Sequence, residues 1–270
     1  MLKEINEAVH FIQSKYSAKP VVGIVLGSGL GNFAGEIEVE CAIPYDQIPF
    51  FPVSTVEGHP GKLIFGTLNG KKVVAMAGRF HYYEGYSTQE VVFPIRVLKF
   101  LGIQTLLISN AAGGINTSFK VGDLMIIKDH ISLLTLNPLL GKNEDTFGDR
   151  FPDMSEPYKN DLIEKARKIA GENKIAIREG IYIGVTGPTF ETRAEYKMLN
   201  ILGGDAVGMS TVQEVIAAVH MGLPVFAISV ITDIGIRKEE NIITHEEVLQ
   251  AAKEAEPKLT LIFKQIISQL

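Results

Sequence analysis

The sequence predicts a single α/β domain over residues 1–270. Two observations carry that reading. Short, continuous apolar runs at 21–26, 73–77, 106–108 and 225–231 read as buried strands, and segments with apolar residues at helical spacing alternate with them. Capping boxes then mark where helices begin: Ser87 with Glu90, Thr192 with Glu195, Thr211 with Glu214 and Thr244 with Glu247. At 46% hydrophobic and 21% charged residues, the composition is that of a globular chain able to build a large core.

Taken in order, Leu2, Ile5, Ala8, Val9 and Ile12 give residues 2–16 one apolar face, so they form a helix. Pro20 closes the connection to a strand over 21–26. That strand runs into Gly27-Ser28-Gly29-Leu30-Gly31, where glycines permit a tight turn that exposes N–H groups to an anion. Residues 37–56, with Pro44, Pro49 and Pro52, read as loop and edge strand. Strands at 63–68 and 73–77 flank Asn69-Gly70, a strong hairpin signal. A helix follows at 88–101 and a strand at 106–108, ending in Ser109-Asn110-Ala111-Ala112-Gly113-Gly114, whose small residues admit a ligand close to the backbone. The alternative there is a tight turn that needs glycine for positive φ. Further strands are expected at 123–129, 180–186, 205–209 and 225–231, and a helix at 158–170. The loop at about 137–157 is long for a compact domain, a property of functional segments. Its Phe147 and Phe151 are expected to cover a pocket or a subunit interface.

Several function classes fall away. A net charge of −5 gives no basic footprint for nucleic acid. One cysteine, Cys41, allows neither a disulfide framework nor a cysteine-rich zinc site and suits a reducing compartment. The first residues, with Lys3, Glu4 and Glu7, read as a helix and not as a signal peptide, and no apolar run approaches the roughly 18 residues that span a bilayer. A dinucleotide-binding unit would place a third glycine at position 32, which is Asn32.

The chemistry concentrates at strand ends. Gly78-Arg79-Phe80-His81-Tyr82-Tyr83-Glu84-Gly85 follows a buried strand, and in a parallel sheet ligands bind at that edge. The Arg79 fork suits an oxyanion; the plain alternative is a surface loop with an Arg79–Glu84 ion pair. His59, between glycines in a loop, carries little weight alone. Phe190 and Glu191 offer an aromatic face and a carboxylate to a heterocycle, although Glu191 also suits a helix dipole. Ser210 stands at a helix N-terminus, a natural anion site. His245 occupies the first turn of the last helix, where the dipole disfavours its cationic form. Three strand ends rich in small residues favour one shared pocket over three separate turns.

Together these segments resemble the purine nucleoside phosphorylases of the low-molecular-mass, trimeric class. The resemblance runs from about 21 to 268 through Gly27-Ser28-Gly29-Leu30-Gly31, Gly58-His59, Gly78-Arg79-Phe80-His81, Asn110-Ala111-Ala112-Gly113-Gly114, Gly187-Pro188 with Phe190-Glu191-Thr192, and Val207-Gly208-Met209-Ser210-Thr211. It implies a central mixed, twisted sheet flanked by helices, and reversible phosphorolysis of purine nucleosides to free base and pentose 1-phosphate. It further implies a phosphate site at Ser28, His59, Arg79, His81, Ala111 and Ser210. The nucleoside site would comprise Tyr83, Asn110, Phe147, Phe190, Glu191, Val207, Met209, Asp233 and His245, with Phe147 reaching into a neighbouring subunit's pocket. His81, Glu191 and Asp233 would be the catalytic residues. The family is homotrimeric, is cytoplasmic, and uses phosphate as co-substrate without a metal or other cofactor. Phosphate itself is the nucleophile, so no nucleophilic side chain is required.

One departure stands out. Members specific for 6-oxopurines place an asparagine where this chain has Asp233. An ionised aspartate only accepts hydrogen bonds. It would accept from a 6-amino group, or, protonated through burial beside Glu191, donate to N7. Glu191 favours a 6-oxopurine, whose N1 carries a proton. The expected substrates are therefore inosine and guanosine, with adenosine added. Methylthioadenosine phosphorylases also carry aspartate in this region, but a His245-type contact to a 5′-hydroxyl weighs against them. A binding protein without catalysis would have no use for Arg79, His81 and Ser210 together.

Overall fold

The computed structural model describes residues 1–53, 55, 60–134, 136–236 and 244–270. The chain begins with helix α1 (Leu2–Lys15) and strand β1 (Val22–Leu26), followed by a short 3-10 turn at Gly31–Glu36 and strands β2 (Glu38–Pro44), β3 (Lys62–Leu68) and β4 (Lys71–Ala77). Helix α2 (Thr88–Leu101), strands β5 (Thr105–Gly114) and β6 (Leu124–Ser132), helix α3 (Asn160–Glu172) and strand β7 (Ile177–Gly184) come next. Helix α4 (Arg193–Ile201), strand β8 (Ala206–Gly208), helix α5 (Val212–His220), strand β9 (Val225–Ile234) and helix α6 (His245–Ser268) complete it.

The nine strands of the described residues join one mixed sheet in the order β2-β3-β4-β1-β5-β8-β7-β6-β9. Because β9 also pairs with β5, the far half of the sheet curls until β5, β8, β7, β6 and β9 close on themselves. β1 lies parallel to both β4 and β5, and β5 parallel to β9. The ends of β1, β4, β5 and β9 therefore share one edge, where an α/β sheet opens its crevice. α2 packs on α1 and α5, and α3 packs on α6, which lies across β9, β5 and β3. β1 is buried along its whole length, as a strand covered on both faces must be.

Local chemistry explains the joints. The β3–β4 hairpin turns at Asn69 and Gly70, both at positive φ (48° and 77°), the backbone a two-residue hairpin needs. At α2, α4 and α6 the serine or threonine N-cap accepts from the N–H three residues on, while the glutamate there accepts from the cap's own N–H.

The structure corrects two expectations. Residues 109–114 are not a turn: β5 continues through them, paired with β9 as far as Ile234. Gly113 and Gly114 are required by crowding and not by positive φ, since an added Cβ would lie 3.0 Å from Asp233 Oδ2 and 2.8 Å from Ile234 Cδ1 respectively. Thr232 and Asp233 likewise lie inside β9, not beyond its end. β2 is the edge strand expected within residues 37–56, with a register shift between Val39 and Cys41.

Candidate active site

A cavity of about 520 Å³ opens on the shared strand edge. On one wall the side chain of Arg79, 1% exposed, leaves the end of β4. Its Nε donates to Glu214 Oε1 at 3.1 Å, and its Nη2 lies 3.1 Å from Glu214 Oε2. Nη1 donates to the Ser109 carbonyl at 3.0 Å and to Ser210 Oγ at 3.1 Å. The surface ion pair between Arg79 and Glu84 does not form; the arginine's partner comes from α5. This two-pronged geometry fixes the guanidinium plane as a single point contact would not.

Glu214 also accepts from the Thr211 N–H at 3.0 Å, and Asn110 donates to Thr211 Oγ1 at 2.8 Å. Thr211 holds φ at 71°, a conformation that costs a β-branched residue energy and persists only where its surroundings impose it. That bend aims Ser210 into the cavity. β8 runs antiparallel to β5, with Val207 opposite Gly113, and so brings Ser210 back toward Asn110 and Ala111.

His81, also buried, donates its backbone N–H to Glu84 Oε1 at 2.8 Å and holds Nδ1 2.9 Å from the same oxygen. The other Glu84 oxygen accepts from Thr55 N–H at 2.9 Å and Thr55 Oγ1 at 2.6 Å. Burial works against the charge on Glu84, but the hydrogen bonds from His81 and Thr55 outweigh it and hold the carboxyl down at about 2. An ionised carboxylate only accepts, so Nδ1 carries the proton shared with Glu84, and the ring lines the cavity. Tyr83 stacks on the imidazole at 4.7 Å between ring centroids. Burial, and then Glu84, push its hydroxyl up to about 12, so it stays protonated.

The opposite wall is built by the loop after β7, α4 and the end of β9. Phe190 is exposed at the rim, with Glu191 beside it. Burial pushes the Glu191 carboxyl up, and the Asp233 and Glu195 carboxylates add to the shift. Asp233 is buried, with Thr232 Oγ1 3.2 Å from its Oδ1. Tyr196 stands between the two carboxylates' fields: burial raises its hydroxyl first, then Asp233 and Glu191. Val207 and Met209 form the floor between the walls, and His245 and Val248 of α6 reach the mouth.

The structure thus brings together Ser28, Arg79, His81, Tyr83, Asn110, Ala111, Phe190, Glu191, Val207, Met209, Ser210, Asp233 and His245 around one cavity. His59 lies outside the described residues. Phe147 is not among them, and here the expectation is corrected. It is buried in its own chain, with the Arg96 guanidinium 4.3 Å above its ring and Phe100 edge-on at 5.9 Å. The outward-facing aromatic of that loop is Phe151, 88% exposed. Apolar contact with α2 captures the ring nearer to it. Sequence reasoning missed Thr55, Tyr196 and Val248. For Tyr196 the signal was present: it follows Thr192 by four residues on a capped helix, so it faces the same way as the start of that helix.

The Phosphorylase superfamily model matches residues 21–268. The chain is 48% identical over 266 residues to purine nucleoside phosphorylase 1 of Geobacillus stearothermophilus, covering 98% of this chain and 97% of that one. It is 49% identical to purine nucleoside phosphorylase 1 of Bacillus subtilis over 269 residues, covering 100% and 99%. Among solved structures, purine nucleoside phosphorylase of Schistosoma mansoni in complex with adenosine superposes with a TM-score of 0.95 at 44% identity, covering 100% of this chain and 98% of that one. The same protein in complex with inosine gives 0.94 at 44% identity, covering 100% and 97%.

Proposed function

The chain belongs to the phosphorylase superfamily, and we propose that it catalyses reversible phosphorolysis of purine ribo- and 2′-deoxyribonucleosides. The products are the free base and the pentose 1-phosphate, as in purine salvage. The observation that carries this reading is the two-walled cavity: oxyanion donors on one side, and an aromatic face with two carboxylates on the other.

Inorganic phosphate rests against Ser28, His81, Ser210 and the Ala111 N–H. Arg79, its charge balanced by Glu214, fixes the Ser210 hydroxyl and lends its field to the site. The nucleoside lies between the walls with Tyr83, Met209 and His245 around the sugar and Phe190 against the base. A phosphate oxygen forms the bond to C1′ as the bond from C1′ to N9 breaks. The electron pair leaves with the purine, which gains a proton at N7. The transition state has ribosyl-cation character, so positioning the dianion and receiving charge on the base account for the acceleration. Glu191, ionised, accepts from N1–H of a 6-oxopurine. Asp233 accepts from a 6-amino group when ionised and donates to N7 when protonated, so the site takes inosine, guanosine and adenosine. Phosphate is a co-substrate, and the chemistry as written calls on no metal or cofactor.

We further infer a homotrimer working in the cytoplasm. Phe151 at 88% and Ile201 at 84% exposure are apolar side chains that an interface would cover. The unpaired Cys41 suits a reducing compartment.

Purine release from inosine, guanosine and adenosine, each with and without phosphate, tests the reading. Phosphate-dependent release in the inosine and guanosine lanes is expected. Release that ignores phosphate identifies a hydrolase, and no release in any lane overturns the proposal.

A further inference from the structure

Asn32, where a dinucleotide fingerprint would have glycine, has a partner that explains it. Its Nδ2 donates to Glu256 Oε2 at 2.9 Å, and the Phe33 N–H donates to Glu256 Oε1 at 2.8 Å. Glu256 is 3% exposed, in the middle of α6. Both oxygens of a buried carboxylate are thus directed to the first residues of the 3-10 turn at Gly31–Glu36, which begins three residues after Ser28. A hydrogen bond to a buried charged acceptor is among the stronger kinds.

The same face of α6 reaches the loop and the cavity. His245, Val248, Ala252 and Glu256 follow one another at steps of three and four residues, a single stripe along a helix, with Leu249 at its side. His245 and Val248 line the cavity. Leu249 and Ala252 touch the loop so closely that a Cβ on Gly29, which holds φ at 74°, would come 2.6 Å from Ala252 Cβ and 3.0 Å from the Leu249 carbonyl. Leu30 N–H closes the turn on the Gly27 carbonyl at 3.1 Å. The loop is held at its glycine by contact and, one turn of α6 further on, by the carboxylate.

We propose that Glu256 is a positioning residue for phosphate: by clamping Asn32 and Phe33 to α6 it fixes the Gly27–Leu30 turn and sets Ser28 at its working distance from Arg79 and Ser210. It never touches the reacting atoms. The inference rests on the phosphorylase reading given above. Glu256→Leu removes the clamp while Phe33 stays packed edge-on against Phe263 at 5.9 Å. Glu256→Gln keeps an acceptor for Phe33 N–H, and a flipped Asn32 amide restores the second bond.

The experiment is steady-state kinetics with phosphate and inosine varied separately, beside the phosphate-induced rise in Tm of the nucleoside-free protein. The phosphate KM of Glu256→Leu is expected to rise about ten-fold, the size of one charge-assisted hydrogen bond. kcat and the inosine KM stay within about two-fold, and the phosphate-induced Tm rise shrinks. Glu256→Gln returns the phosphate KM to near the wild-type value, and Asn32→Ala, at an exposed position, shows a smaller rise of the same kind. An unchanged phosphate KM, or a parallel decline in every parameter that Gln fails to rescue, overturns the inference. If Glu256→Leu does not fold, Asn32→Ala decides alone by the same criterion. A wild-type protein with no phosphate-dependent release would instead overturn the phosphorylase reading.

Discussion

At the scale of single residues, the purine wall decides substrate choice. On the proposed assignment Asp233 and Glu191, which both line the cavity, place two carboxylates on one small base, and a 6-oxopurine and a 6-aminopurine ask opposite things of them. Asn at position 233 replaces a charged acceptor by a neutral amide that can also donate to O6, so Asp233→Asn is expected to lower kcat/KM for adenosine by about ten-fold, the weakening of one charge-assisted hydrogen bond, while inosine and guanosine hold or gain. A competition assay with both nucleosides present reads this directly, and an unaltered ratio sinks the assignment. Glu191 adds a pH dependence whose sign follows from its environment. Burial raises its folded pKa above 4.5, so protonation begins at a higher pH than for an ordinary glutamate. Once protonated, it loses the charge that makes it a strong acceptor for N1–H, and one of its oxygens becomes a donor. The inosine kcat/KM should therefore fall on the acid side from above the usual carboxylate range, and Glu191→Gln should abolish that limb while lowering the plateau. A limb of unchanged position in the Gln variant would assign the titration to another group. The sequence named both carboxylates. For Tyr196, four residues after Thr192, the sequence signals which way the side chain faces but not the burial and the fields that its hydroxyl experiences.

At the scale of elements, the site is a meeting of strand ends, and close approach between backbones does the positioning. Gly27 ends β1 against β5, where an added Cβ would lie 2.8 Å from both Asn110 Cα and the Ser109 carbonyl. Those atoms are backbone of a strand that β9 pairs along this stretch, so they cannot swing aside as a side chain would. Gly27→Ala is expected to destabilise the fold by about 1–3 kcal/mol, as overpacking does, seen as a Tm several degrees lower, and to raise the phosphate KM because Ser28 moves with it. A Tm and KM equal to wild type would show that β1 and β5 are less tightly joined than the register implies. The elements were legible where their signals are local: the hairpin at Asn69-Gly70 and the caps at Ser87, Thr192 and Thr244. They were not legible where pairing partners decide. Nothing in Asn110-Ala111-Ala112-Gly113-Gly114 says strand, because glycine and alanine have weak strand preference. β9, remote in sequence, keeps that stretch extended.

At the scale of the whole molecule, the cavity and the exposed apolar surface belong to one argument. Phe147 and Phe151 stand four residues apart in a long loop, and composition alone could not tell which one stays inside. The fold answers by burying Phe147 beneath the Arg96 guanidinium, 4.3 Å from its ring, while Phe151 faces outward with Arg150 5.4 Å from its ring. In a ring of three copies each interface is heterologous, with a surface from one chain meeting a different surface of the next. A ring so placed would complete the neighbour's pocket and not its own. Phe151→Ala should then raise the nucleoside KM about ten-fold or more, in line with losing a buried aromatic contact, while the mass in solution stays three times the 29.6 kDa of the chain. Complementation gives the sharper test. His81→Ala disables its own pocket and still carries Phe151; Phe151→Ala keeps an intact pocket and donates nothing. Unfolded together and reassembled, the two should form mixed rings in which a competent pocket receives its ring from the other chain. Activity above the sum of the separately reassembled variants is expected. Activity equal to that sum would place Phe151 outside every pocket, and the ring would then serve assembly alone.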